Sequence, residues 1–322
     1  MIDFRYHLVS LASVLIALAV GIVLGAGPLK EGISDSLDQQ VAQLRADKDA
    51  LRSQLDASEK SVQEQEDFAN AQLPAIVSGR LAERSVVVVT LPGAPDSLVV
   101  ETEDTLSAAG ASVSGPVRIE QAWSDSSQEA TTRREQLAST LAPTLGLTVD
   151  TEDAPDLGDV LGALLAAPAT PDGTTAPEAP SAVARAAAWT RLVSDGYVSG
   201  SLPATRANLV TVVGATQVAT AQGSSGTTDP LPALADLAAA LDDASDGVVI
   251  AAAIDPTAAD STSIIAAARA RAAVRREVSS VDDASDPIGQ ASIVAALVEQ
   301  EAGRAGQYGR AAGAKSPFPS AN

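Results

Sequence analysis

The chain has no cysteine, one methionine, one histidine, two tryptophans, three tyrosines and three phenylalanines in 322 residues. Without cysteine there is no thiolate nucleophile, no disulfide and no cysteine-based zinc site. The single histidine, His7, precedes a long apolar run, so neither Ser-His-Asp nor Cys-His catalysis can be assembled downstream of it, nor a histidine zinc site. Positive charge is also scarce: lysine occurs only at positions 30, 48, 60 and 315, and the net charge is −20. An acidic surface with no basic patch repels phosphate, which excludes nucleic acid as a partner and disfavours adsorption to anionic headgroups. Neither G-x-G-x-x-G nor a P-loop is present. The loop Thr90-Leu-Pro-Gly-Ala-Pro-Asp96 sits where a dinucleotide fold has its glycine-rich turn, but Pro92 and Pro95 remove two amide donors that a phosphate cradle needs.

Carboxylates are what remains in quantity. Glu101, Glu103 and Asp104 share an early helical segment, and Asp242-Asp243 and Asp282-Asp283 sit near element ends. Such a pair catalyses only where its environment splits the two pKa values, so these read as solvated acidic surface. No catalytic residue, cofactor-binding residue or metal ligand is nominated, and a non-enzymatic protein is expected.

Residues 8–26 are uncharged and apolar. At about 1.5 Å per helical residue they reach roughly 28 Å, close to the hydrocarbon thickness of a bilayer. Arg5 precedes the run, while Lys30 beyond it is surrounded by Glu31, Asp35 and Asp38, so the positive-inside bias keeps residues 1–7 cytoplasmic and the remainder outside the plasma membrane. The alternative is a cleaved signal peptide. Against it stand the length of the run, Asp3 in the leading segment and Leu24 where cleavage after Ala26 needs a small residue.

Residues 34–73 carry heptads. With Leu37, Leu44 and Leu51 at d, Val41, Lys48, Leu55 and Val62 fall at a, and Asp47 at g can reach Arg52 at e of a parallel partner. The pattern predicts a coiled coil in a parallel homodimer; the alternative is one amphipathic helix folded back on the downstream domain. Gly21 and Gly25, four apart in the apolar run, give the same helix a face small enough for close approach of a second copy.

Beyond Pro74 the texture changes. Ser85-Val-Val-Val-Val-Thr-Leu91 reads as a strand buried on both faces. Further strands are predicted at 113–119, 208–213, 247–253 and 278–281, with helices at 96–109, 126–141, 157–166, 182–194, 230–244, 261–276 and 288–304. Residues 168–180 read as a low-complexity loop. The alternation predicts an α/β fold: a single transmembrane helix (8–27), a coiled-coil helix (34–73), then an open, mostly parallel sheet in an extracytoplasmic domain (84–310). Residues 311–322 are expected to be a disordered tail.

Two stretches are motif-like: Asp3-Phe-Arg-Tyr-His7 leading into the apolar run, and Val281-Asp-Asp through Pro287, Gly289 and Gln290, followed by Tyr308-Gly309. In the second, the plain reading is strand, turn and helix start; the functional reading is a partner surface at the carboxyl end of a strand. With these residues the sequence resembles the actinobacterial MctB family, and Asp3, Arg5, His7, Asp282, Asp283, Pro287, Gly289, Gln290 and Tyr308 carry the resemblance. It implies a role in copper export or copper tolerance across the envelope, with copper as the implied metal and a pore-like outer-membrane assignment for some members. It also implies envelope maintenance: SteB-like members are coiled-coil partners of a SteA-like membrane protein in cell separation.

Overall fold

The structure, a computed structural model, describes residues 4–26, 28–148, 154–168, 179–215, 229–253 and 263–320. The chain divides into two compact units, residues 1–65 and 66–322.

The first unit holds α1 (Phe4–Ala26) and most of α2 (Pro28–Val77). The apolar run makes α1 long and apolar enough to cross a membrane, with a mean hydropathy of 2.7 over Phe4–Gly25. In α2 the absence of glycine after residue 32 lets the helix run uninterrupted, and it does not stop at Pro74 as expected but continues to Val77. Pro74 has no N–H to donate, yet its carbonyl accepts from the Ser78 amide at 3.1 Å. Val77 is buried in the domain core with Leu73 packed against it, so tertiary burial carries the last turn past the proline.

The second unit is a seven-stranded sheet. Its strands are β1 (Ser85–Thr90), β2 (Ser112–Ile119), β3 (Val198–Ser199), β4 (Leu209–Val213), β5 (Val248–Ala251), β6 (Ser279–Val281) and β7 (Gln307–Tyr308), in the spatial order β3-β2-β1-β4-β5-β6-β7. All neighbours are parallel except β2 and β3. The mostly parallel sheet expected from the alternation is present. The two short edge strands, β3 and β7, were not predicted, because two residues are too few to carry a hydrophobic period.

Alternation along each strand feeds two cores. Val87 and Val89 of β1 point to a face covered by α4 (Gln128–Leu141), α5 (Leu157–Leu165), α6 (Ala182–Ser194), α7 (Leu231–Asp243), α8 (Ile264–Ala270) and α9 (Ala272–Glu277). Val86 and Val88 point to the other, covered by α3 (Asp96–Ala108), α10 (Pro287–Glu301) and the end of α2. Helices on both faces explain why β1, β4 and β5 read as unbroken apolar runs. The helix predicted at 261–276 is two helices, since Arg271 takes an extended backbone between α8 and α9. Most of the predicted low-complexity loop lies outside the described residues.

The strand order reverses between β1 and β4, which is where folds of this class open a crevice at the carboxyl ends of their strands. At the other side of the sheet, the carboxyl ends of β6 and β7 bring the motif residues together.

Candidate functional site

Asp282 follows the last residue of β6, and Arg269 reaches it from α8. Arg269 and Asp282 are 4% and 3% exposed at the side chain, respectively, and pair at 2.7 Å from Nη1 to Oδ2. Arg269 also donates from Nε to Ser280 Oγ at 2.9 Å, from Nη1 to the Ala312 carbonyl at 3.2 Å and from Nη2 to the Tyr308 carbonyl at 2.7 Å. The Asp282 carboxylate accepts from the amides of Arg310 (2.7 Å) and Ala311 (3.1 Å). A buried carboxylate needs this saturation, since each lone pair taken out of water must be met. Ser280 then donates to Gln307 Oε1 at 2.7 Å, and Gln307 Nε2 donates to the carbonyls of Arg275 and Val278, both at 3.1 Å. The result is a lock joining α8, β6, β7 and the C-terminal segment.

Residues 311–320, expected to be a disordered tail, are therefore tied down. Besides the Ala311 amide, Lys315 N donates to the Gln307 carbonyl at 2.8 Å and Gly309 N to the Ser316 carbonyl at 3.1 Å. Backbone partners inside the domain hold a segment whose own side chains are too small and polar to signal order.

The neighbouring residues divide into buried and exposed groups. Asp283 is buried, its Oδ1 has no hydrogen-bond partner among the described residues, and its Oδ2 stands 3.8 Å from Arg310 Nε. Burial, and then the adjacent Asp282 charge, push its carboxyl above the usual range, with Arg310 opposing. Arg310 pairs with Asp286 at 3.0 Å and remains two-thirds exposed. Gln290 is buried and donates from Nε2 to the Ala284 carbonyl at 2.8 Å and to Thr102 Oγ1 at 3.3 Å, pinning α10 to α3. Pro287 opens α10 at its first position, and Gly289 is a glycine because a Cβ there would fall on the Asp283 carbonyl oxygen. The Tyr308 hydroxyl donates to Glu299 Oε2, and burial and that carboxylate raise its pKa.

The structure thus collects Asp282, Asp283, Pro287, Gly289, Gln290 and Tyr308 around one strand end, mostly inside it; Ser285, Ile288 and Arg310, with Asp286 in part, are what the region presents to solvent. Arg269, Ser280 and Gln307 were not singled out in the sequence. The available signal for Arg269 is a lone arginine in the alanine-rich stretch Ile264-Ile-Ala-Ala-Ala-Arg-Ala270, where a cation must point either to solvent or to a buried acid.

The other nominated residues lie in the first unit. Leu37, Leu44, Leu51, Leu55 and Val62 stand on α2 with 50–67% of their surface exposed, Val41 is partly buried and Lys48 is exposed. A Cβ on Gly21 or Gly25 would meet nothing within 4 Å. Arg5 and His7 are exposed on α1, and Asp3 lies outside the described residues. Among the described residues no group of three or more His, Cys, Asp or Glu is arranged to hold a metal ion.

The sequence model of the family described as "Copper transport outer membrane protein, MctB" matches residues 1–319. The chain belongs to the MctB family. Curated relatives named copper transporter MctB include those of Mycobacterium tuberculosis and Mycobacterium bovis, each 29% identical over 321 residues, and of Mycobacterium leprae, 29% identical over 326; each alignment covers 98% of both chains. The MctB match takes in α1, α2, the sheet and the residues of the lock alike.

Proposed function

We propose that this chain is a non-enzymatic envelope protein serving copper homeostasis, held in the plasma membrane by α1 with its N-terminus cytoplasmic and residues 66–322 outside. The observation that carries the reading is the end-to-end match to copper transporters of the same length. Copper here is cargo, and the chain's own donors do not suit it: copper(I) favours thiolate and thioether sulfur, while the chain offers no cysteine, Met1 alone and His7 alone. The strands are covered by helices on both faces, which gives none of them the lipid-facing side of a barrel wall. Support for copper tolerance through another envelope component is therefore stronger than for conduction by this chain. Deleting the gene should lower the copper concentration that arrests growth, and complementation by the intact chain should restore it. Unchanged tolerance in the deletion strain would refute the reading.

The exposed heptad face of α2 favours a second reading, a dimeric scaffold or regulator of cell separation with a SteA-like envelope or division protein as partner. Because the chain lacks cysteine, Leu44→Cys introduces a single thiol. Under oxidation in cells it should give a disulfide-linked homodimer, and monomer alone would discard this reading.

A further inference from the structure

The last turns of α2 have two apolar sides. Val77 is buried in the domain core and Leu73 packs against that core, so one side is spent on the sheet domain. Phe68 keeps 69% of its surface exposed. Nine residues at about 100° apiece put it opposite Val77 on the helix, where the domain that buries Val77 does not reach. Beside Leu73, between α2, α10 and the C-terminal segment, lies an apolar groove of about 230 Å³ whose walls include Ala69, Leu73, Ile76, Ile288, Ala291 and Phe318. Ile76, Ile288 and Phe318 are about half exposed there. An apolar cavity of roughly 150 Å³ holds one benzene ring, so the groove takes one large side chain and is too small for a helix.

The heptad register says which side chain that is. The a positions Val41, Lys48, Leu55 and Val62 continue as Ala69 and Ile76, and Leu73 falls at e, because α2 runs unbroken to Val77. The groove therefore opens on the a and e flank of the helix, the flank that the g residues of a parallel partner cover. In such a pair a g residue meets the e residue five positions later on the other copy, the spacing that joins Asp47 to Arg52. Five positions before Leu73 stands Phe68, at g. No pair of this kind, from Gln40 with Arg45 to Ser61 with Glu66, sets like charges together, so the parallel register that delivers Phe68 meets no repulsion along the coil.

We infer that in the parallel homodimer proposed above, on which this site depends, each copy inserts its Phe68 ring into the groove between α2 and α10 of the other copy, so that the coil is fastened to the folded domain across the dimer. Sedimentation equilibrium of the full chain in detergent is the test. Phe68→Ala should raise the dimer dissociation constant at least tenfold, with Phe68→Leu in between. Phe318→Asp, which sets a charge on the groove wall, should also raise it at least tenfold. Both side chains are more than half exposed in a single copy, so neither change removes a core contact. Combined, the two changes should weaken the dimer no more than the stronger one alone, because they empty the same contact. A dissociation constant that Phe68→Ala leaves unchanged, or two effects that multiply, overturns the site while the homodimer stands. A chain that stays monomeric also overturns the site, and the homodimer falls with it where Leu44→Cys gives no disulfide in cells.

Discussion

Arg269 and Asp282 are each almost fully out of water, and each has its polar atoms met by strand, helix and C-terminal backbone. Breaking such a pair from one side leaves an uncompensated charge, so Asp282→Ala should cost about 3–5 kcal/mol of domain stability in urea unfolding. A loss below about 1 kcal/mol would mean that the guanidinium finds water once its partner is gone. Asp242 offers a titration instead. Burial raises its carboxyl from 3.8 to about 7, while its Oδ1 accepts from the Val248 amide at 2.9 Å. Between those two pH values the folded chain keeps a proton that the unfolded chain has released, so this group's contribution to stability declines as pH rises from about 4 to about 7. Asp242→Asn keeps the acceptor and removes the titration. Its melting temperature at pH 8 should exceed that of the unaltered chain by at least about 2–4 °C, the shift that about 1 kcal/mol gives in a domain of this size, with the difference vanishing near pH 4. A constant difference across that range would rule out Asp242 as its source.

Elements differ in how plainly the sequence announces them. Val86 to Val89 declare β1 because a strand covered on both faces needs apolar residues at every position, and the wide apolar stripes of α5 and α7 declare helices that must be buried. The lock was only half legible: Asp282 and Tyr308 stood out as motif, but their meeting depends on β7 entering beside β6, a pairing between residues far apart in the chain that leaves no local trace. Arg269 was hidden for the same reason. The heptads of α2 are legible as pattern alone, since what packs on them is a separate matter from where they point. At the start of α10, Gly289 sits against the Asp283 backbone so closely that Gly289→Ala must move one or the other. The expected loss is about 1–3 kcal/mol in the same urea assay, and an unchanged midpoint would show that the helix start shifts freely.

At the scale of the molecule, an apolar helix, a long second helix and a doubly wound acidic domain belong to a chain whose relatives are named for copper. A cysteine placed at Ser285, an exposed position beside the lock, should react in whole cells with a reagent that cannot cross the plasma membrane. Reaction only after lysis would put the domain on the cytoplasmic side and overturn the proposed orientation. The net charge of −20 further predicts that the intact protein is not retained on DNA at physiological salt. The lock also sets an order of events during synthesis. The amides that hold Asp282 belong to Arg310 and Ala311, and the strand that completes the sheet edge is Gln307–Tyr308, all later in the chain than the other six strands. Synthesis runs from the N-terminus, so the β6 edge stays uncovered until residues 307–311 have been made. The first six strands therefore wait with one edge open, and a folding factor has its opportunity to act there.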